Sequence, residues 1–127
     1  MSERSFAIAG ALLGFVGVAA GAFGAHALRG RVDPGALAIF DTAARYHLIH
    51  AIALFGVAWA RTRWAGRAVD IAGWLFIAGI VLFSGSLYLL ALSGASALGI
   101  ITPVGGACLL GGWLALAWAA WRGAALR

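Results

Sequence analysis

Residues 6–28 are FAIAGALLGFVGVAAGAFGAHAL, an apolar run without a single charged side chain. At 1.5 Å per residue, a helix of this length crosses the hydrocarbon core of a bilayer, which is about 30 Å thick. Its glycines recur at spacings of three and four and fall on one helical stripe: Gly10, Gly14, Gly17, Gly21 and Gly24. Because glycine lets a neighbouring backbone approach closely, the stripe predicts tight packing against another helix.

The rest of the 127-residue chain has the same character. It is 64% hydrophobic and only 10% charged, which is too little charge to cover the surface of a soluble domain. Further apolar runs follow, and most of the breaks between them contain arginine. We therefore predict an all-α fold, an integral membrane four-helix bundle that forms one domain over residues 1–127, with spans at about 6–28, 40–60, 71–92 and 102–121.

A cleavable signal peptide is the alternative explanation of the first run, with Ala25-His26-Ala27 as the cleavage site. Its amino-terminal region is weakly charged, because Glu3 offsets Arg4. The run is also longer than the roughly 7–15 apolar residues of a signal peptide. We therefore expect this segment to remain in the protein as a span.

The net charge of +5 is carried by arginine, since the chain has no lysine. These arginines lie in the breaks and not on one basic face, which favours lipid headgroups over nucleic acid as the partner. In a four-span chain the termini and the second connection share the side that holds Arg4, Arg61, Arg63, Arg67, Arg122 and Arg127. The opposite side holds Arg29, Arg31 and Arg45. The positive-inside rule then predicts that both termini are cytoplasmic.

Tryptophans near the arginine-rich side fit an interfacial aromatic belt: Trp59, Trp64, Trp74, Trp118 and Trp121. Trp113 lies deeper and is expected to serve packing. Asp33-Pro34 predicts the N-cap and first residue of the second helix. The lone Cys108 excludes an internal disulfide and is expected to be a small buried hydrophobe.

Polar side chains are predicted to gather in the outer half of the bundle, because alternating helix directions bring the end of one span beside the start of the next. This layer contains three histidines, His26, His47 and His50, and a candidate polar network of Arg45, Tyr46, Ser84, Ser86, Tyr88 and Thr102. Polar groups within a membrane are costly and need partners or a task.

The histidines have several interpretations. His47 and His50 project within about 60° of each other on a helix, and with His26 they would offer three nitrogen ligands to copper or zinc. One histidine from each of two helices would suit a haem. Alternatively, the rings hydrogen-bond to serine, tyrosine or backbone groups and bind no cofactor; proton transfer or quinone contact is a further alternative. No carboxylate, methionine or cysteine accompanies them at a recognised ligand spacing.

Arg45 has two interpretations as well. Asp41 lies four residues before it, a spacing that suits an ion pair on one helix face. The other interpretation is contact with an anion or a lipid headgroup.

Four blocks of the sequence resemble the domain-of-unknown-function family 423, which includes bacterial YgdD-like proteins and animal transmembrane protein 256. In chain order they are GAFGAHAL (21–28), TAARYHLIH (42–50), LFSGSLY (82–88) and GIITPVGG (99–106). The resemblance covers nearly the whole chain and implies a small four-span protein of the bacterial inner membrane. It implies no particular reaction.

Three functions remain to be distinguished. The leading hypothesis is a non-enzymatic accessory, assembly or structural membrane protein, which forms homo-oligomers or binds a membrane-protein partner because four short spans bury little surface. The second is a metal- or haem-binding module built on His26, His47 and His50. The third is a small transporter or channel, which the lack of a deep acidic residue or broken-helix pair disfavours.

Overall fold

A computed structural model describes residues 1–123 of this chain, which form helices joined by short connections. In chain order they are α1 (Glu3–Phe23), a π-helical turn (Gly24–Leu28), α2 (Pro34–Arg63), α3 (Arg67–Gly79), a second π-helical turn (Ile80–Ser84), α4 (Gly85–Ser93), a 3-10 turn (Ser96–Ile100) and α5 (Ile101–Arg122). The predicted all-α class is confirmed. Arg127, which entered the prediction of orientation, lies outside the described residues.

Three continuous helical runs are long and apolar enough to cross a membrane: Glu3–Leu28, Arg67–Ser93 and Ser96–Arg122. They contain the predicted spans 6–28, 71–92 and 102–121. The predicted span 40–60 lies within α2, a 30-residue helix that also carries four charged side chains and two histidines. These polar residues lower its mean hydropathy, so α2 is not among the three, and a fourth span stays a prediction.

The surface of the molecule is apolar and part of its interior is polar. Phe15 is 76% exposed and Leu114 is 72% exposed, whereas Ser84 is fully buried and His47 is only 3% exposed. A soluble protein tends to bury apolar side chains such as Phe15 and Leu114 and to expose polar ones such as Ser84 and His47. The exterior of this bundle is therefore matched to hydrocarbon.

The start of α2 and the end of α4 carry residues that are typical of helix boundaries. Asp33 accepts a hydrogen bond from the Ala36 backbone N–H at 2.9 Å, and Pro34 is the first residue of α2. The predicted N-cap is confirmed. Gly94 follows α4 with a φ of +70°, a left-handed conformation that glycine adopts without strain.

The glycine stripe of α1 packs against α2 at every second glycine. A Cβ at Gly10 would lie 2.9 Å from the Ala51 carbonyl oxygen, and Gly17 and Gly24 are equally close to side chains of α2. Gly14 and Gly21 have open space at the Cβ position. The five-glycine prediction is thus right for three positions and wrong for two, because residues four apart are rotated by about 40° around a helix axis.

α5 approaches the backbone of the second π-helical turn closely at Gly105. A Cβ at Gly105 would overlap the backbone of Leu82 and Phe83. Between α3 and α5, Gly79 accommodates Leu109 and Gly112 accommodates Phe76. The neighbouring Gly106 is less confined, since its Cβ would lie 3.7 Å from Phe83.

Two apolar clusters form the core. The larger one lies toward the arginine-rich ends of the helices and is built mainly of small residues around Phe6, Leu54 and Phe76. The smaller one contains Leu28, Phe40 and Ala91. The buried polar side chains lie between the two clusters.

Candidate functional site

His50 has both ring nitrogens in hydrogen bonds. Its Nδ1 donates to the Tyr46 carbonyl oxygen at 2.6 Å, and its Nε2 accepts from the Trp113 indole N–H at 3.0 Å. A carbonyl oxygen only accepts and an indole N–H only donates, so these partners require the neutral ring with the proton on Nδ1. The ring also packs against Phe76, with centroids 5.5 Å apart. His50 therefore joins α2 to α5.

His47 joins α2 to α4. Its Nδ1 is 2.9 Å from the Tyr88 hydroxyl oxygen. The opposite edge of the ring faces α1 at Gly17, where a Cβ would lie 3.3 Å from the His47 Cδ2. Nε2 is near the Leu13 backbone but has no hydrogen bond of good geometry within residues 1–123. The His47 ring packs into the space that the missing side chain of Gly17 leaves.

The serines that the sequence places in the polar layer also connect helices. Ser84 donates to the Ala43 carbonyl oxygen of α2 at 2.8 Å and is fully buried. The Ser86 and Thr102 hydroxyl oxygens are 2.7 Å apart, which ties α4 to the first turn of α5. Within residues 1–123, Ser84, Ser86, Tyr88 and Thr102 of the predicted polar network thus form hydrogen bonds between helices.

The second π-helical turn sets the direction of these side chains. A π-helical turn accommodates an extra residue, which rotates everything after it by about 100° relative to an uninterrupted α-helix. Ser84 ends the turn, and Ser86 and Tyr88 follow within the next turn of helix. The rotation lets Tyr88 reach α2 while Ser86 reaches α5.

His26 does not join the other two histidines. It lies exposed in the π-helical turn that ends α1 and has no hydrogen bond to any described side chain. In the part of the chain that the structure describes, no three His, Cys, Asp or Glu side chains are close enough to hold a metal ion. His26, His47 and His50 thus have different surroundings and do not assemble a three-nitrogen site.

Arg45 and Tyr46 lie at the surface, and the predicted ion pair between Asp41 and Arg45 is not formed. The Asp41 carboxylate is turned to α1, 3.5 Å from the Cβ position of Gly24. The ion pair that the structure shows joins Arg61 Nε to Asp70 Oδ1 at 2.9 Å, at the other end of the bundle.

Trp113 is a site residue that the sequence analysis assigned to packing. It lies eleven residues after Thr102, about 16 Å along the helix, so the polar contacts extend to the middle of α5 and are not confined to its outer half. The signal for this role is the indole N–H itself, which usually finds a partner when it is buried in an apolar environment.

An apolar exterior around an interior of interhelical hydrogen bonds defines the class: the chain is a helical membrane protein. It belongs to the family described as "Protein of unknown function (DUF423)", whose model matches residues 20–106. The resemblance that the four sequence blocks indicated is confirmed.

Relatives of the chain are described as UPF0382 membrane proteins. The UPF0382 membrane protein YwdK of Bacillus subtilis is 45% identical over 118 residues, which cover 92% of this chain and 96% of the relative. A UPF0382 membrane protein of Haemophilus influenzae is 41% identical over 117 residues, 91% of this chain and 93% of the relative. The UPF0382 membrane protein SAB0533 of Staphylococcus aureus is 43% identical over 115 residues, 89% and 92% of the two chains. No solved structure matches the chain.

Proposed function

We propose that this protein is a non-enzymatic accessory or assembly protein of the bacterial inner membrane. It forms a four-span bundle with both termini in the cytoplasm and binds another membrane helix, from a partner protein or from a second copy of itself, along one flank of α1. His47 and His50 have a structural role in this proposal: through Tyr88 and Trp113 they hold α2, α4 and α5 in register.

The position of α2 supports a fourth span. This helix packs against α1, α3, α4 and α5, and it buries more residues than any other described helix. Its charged side chains lie toward its two ends, so residues 46–60 carry none. The side chains that this stretch exposes are mainly apolar, Ile49, Ile52 and Phe55 among them, so its outer face is matched to lipid. The arginines near its ends can extend their heads to the interfaces.

The contacts at the arginine-rich rim support an interfacial position for this end of the bundle, which the positive-inside rule assigns to the cytoplasm. The Arg63 guanidinium lies 6.0 Å from the centre of the Trp59 ring, and the Arg122 guanidinium lies 5.3 Å from that of Trp118. Arginine stacked on tryptophan suits the headgroup region, where both side chains are favoured.

The observation that carries the assembly role is the open flank of α1. Among the helices of residues 1–123, α1 packs mainly against α2, and Phe6 reaches Gly73 of α3. Nothing lies within 4 Å of the Cβ positions of Gly14 and Gly21. In lipid, glycines two turns apart on a helix allow a second helix to approach closely.

The double variant Gly14→Leu/Gly21→Leu is expected to abolish this association. The leucine side chains would fill the space along the flank and keep a docking helix away, while the bundle itself has room for them. The measurement is the mass and composition of the complex purified in a mild detergent. Wild type is expected to migrate as an assembly and the variant as a single chain.

Ala19→Leu is the matched control, because Ala19 is exposed on another side of the same helix. It should leave the assembly intact. Strictly monomeric wild-type protein that co-purifies with nothing would contradict the proposal. Equal loss of association in the control would show that the flank is not the docking surface.

The metal or haem alternative has less support. To coordinate a metal through Nε2, His50 would have to give up its bond from Trp113, and through Nδ1 its bond to the Tyr46 carbonyl. Metal analysis and a visible spectrum of protein purified without chelator test that alternative directly.

A further inference from the structure

A groove between α2 and α5 opens toward the lipid. Its volume is about 700 Å³. One end carries Arg45 and Tyr46, and the remainder of its wall is largely apolar, with Phe83, Leu110 and Trp113 among the lining residues. The groove therefore combines a polar end with an apolar trough, and these two parts match the polar headgroup and the apolar acyl chain of a lipid.

The polar end offers donors without partners. Neither the Arg45 guanidinium nor the Tyr46 hydroxyl forms a hydrogen bond or an ion pair with any of residues 1–123, and both side chains are exposed. Asp41, the nearest carboxylate in sequence, is turned to α1. Two such donors at one end of a groove match the oxygens of an anionic group.

The length of the groove fits one leaflet. Along α5 it extends from Pro103 to Trp113, ten residues or about 15 Å, which is half of a hydrocarbon core of about 30 Å. In the four-span arrangement, Trp113 and its partner His50 lie near the bilayer midplane. Arg45 lies five residues, about 7.5 Å, closer to the outer interface, to which its long side chain can extend. A lipid in the outer leaflet has its headgroup and acyl chain at these two depths.

We propose that this groove binds an anionic phospholipid, with the headgroup phosphate on Arg45 and Tyr46 and an acyl chain along Phe83 and Leu110. The net negative charge of the headgroup complements the unpaired guanidinium, which a zwitterionic headgroup neutralises less completely. His50 lines the groove but does not contribute a donor, because its nitrogens are already engaged. The assignment of depth rests on the proposed four-span arrangement.

The test is lipid retention in native mass spectrometry. Full-length protein in mild detergent is titrated with phosphatidylglycerol or with phosphatidylcholine of identical acyl chains. We expect one phosphatidylglycerol per chain to survive detergent removal and phosphatidylcholine to bind about tenfold more weakly. Arg45→Gln should lower the apparent affinity for phosphatidylglycerol by about tenfold, because it removes a charge-assisted contact. Arg29→Gln, on the same side of the membrane but outside the groove, should retain it.

A second variant tests the apolar trough. Gly106 lines the groove, and a Cβ there would lie in ordinary contact with Phe83 at 3.7 Å. Gly106→Leu should therefore leave the helices in place, fill the trough and displace phosphatidylglycerol. Its unfolding temperature shows whether the bundle has remained folded.

Three results would overturn the proposal: equal retention of the two lipids, unchanged retention in Arg45→Gln, or a wild-type dimer without lipid that Gly106→Leu dissociates. The last result would mean that a second copy occupies the groove. Failure of lipid binding would leave the assembly role intact, because the Gly14→Leu/Gly21→Leu comparison depends on the open flank of α1, outside the groove, and needs no added lipid.

Discussion

Gly105→Ala is expected to destabilise the bundle by about 2–3 kcal/mol, or to prevent its assembly, because overpacking of a close helix contact is not easily relieved. The added methyl would overlap the backbone of Leu82 and Phe83, and backbone atoms cannot turn aside as a flexible side chain can. α5 would have to move away from the second π-helical turn, and the Ser86–Thr102 hydrogen bond between α4 and α5 would be lost with it.

Gly106→Ala is the control for that experiment, since it adds the same methyl at the next residue. There the Cβ would lie at ordinary contact distance from Phe83, and the stability should change by less than about 0.5 kcal/mol. Thermal unfolding in detergent, followed by circular dichroism, compares the two variants. Equal unfolding temperatures for Gly105→Ala and wild type would contradict the close approach of α5 to the π-helical turn.

The second large effect is expected at the bond between His50 and Trp113. His50→Leu leaves the indole N–H without an acceptor in an apolar environment, and Trp113→Phe leaves the His50 Nε2 without a donor. Each should cost about 1–3 kcal/mol. The double variant removes both groups, so it should cost less than the sum of the single changes by about 1 kcal/mol.

The same unfolding measurement applied to all four proteins gives the coupling energy. Trp74→Phe is the control, because Trp74 is 54% exposed and has no hydrogen bond to the described residues. It should change the stability by less than about 0.5 kcal/mol. Strictly additive effects of His50→Leu and Trp113→Phe would mean that the hydrogen bond contributes nothing to holding α2 and α5 together.

The fold class follows from sequence because it depends on composition over long stretches. Apolar runs of twenty or more residues, an Asp-Pro helix start and a glycine every seven residues each have a local cause, and the structure contains all of them. α2 is the exception, because charged residues near its ends lower its mean hydropathy. Its assignment as a membrane span therefore depends on the helices that pack around it and not on its own sequence.

The candidate site was predictable in part. The depth of Ser84, Ser86 and Tyr88 follows from helix direction, so their grouping with His47 could be inferred. Their hydrogen-bond partners could not, because the π-helical turn rotates the following residues in a way that no local pattern indicates. Asp41 and Arg45 have the spacing of an ion pair, but packing against Gly24 directs the carboxylate to α1. The hydrogen bond of Trp113 could not be predicted either, because its partner His50 lies 63 residues away in sequence.

The central claim is that α2 crosses the membrane, so that residues 29–33 and 64–66 lie on opposite sides. Single cysteines introduced into a Cys108→Ala background test it, with Arg31→Cys and Ser96→Cys in the two outer connections and Ala65→Cys in the inner one. Arg31→Cys removes a positive charge from the outer side and so does not work against the predicted orientation.

In intact cells without an outer membrane barrier, a membrane-impermeant maleimide should label Arg31→Cys and Ser96→Cys, and should label Ala65→Cys only after lysis. Labelling of Arg31→Cys and Ala65→Cys from the same side would show that α2 does not span the membrane. Labelling of Ala65→Cys alone in intact cells would invert the orientation.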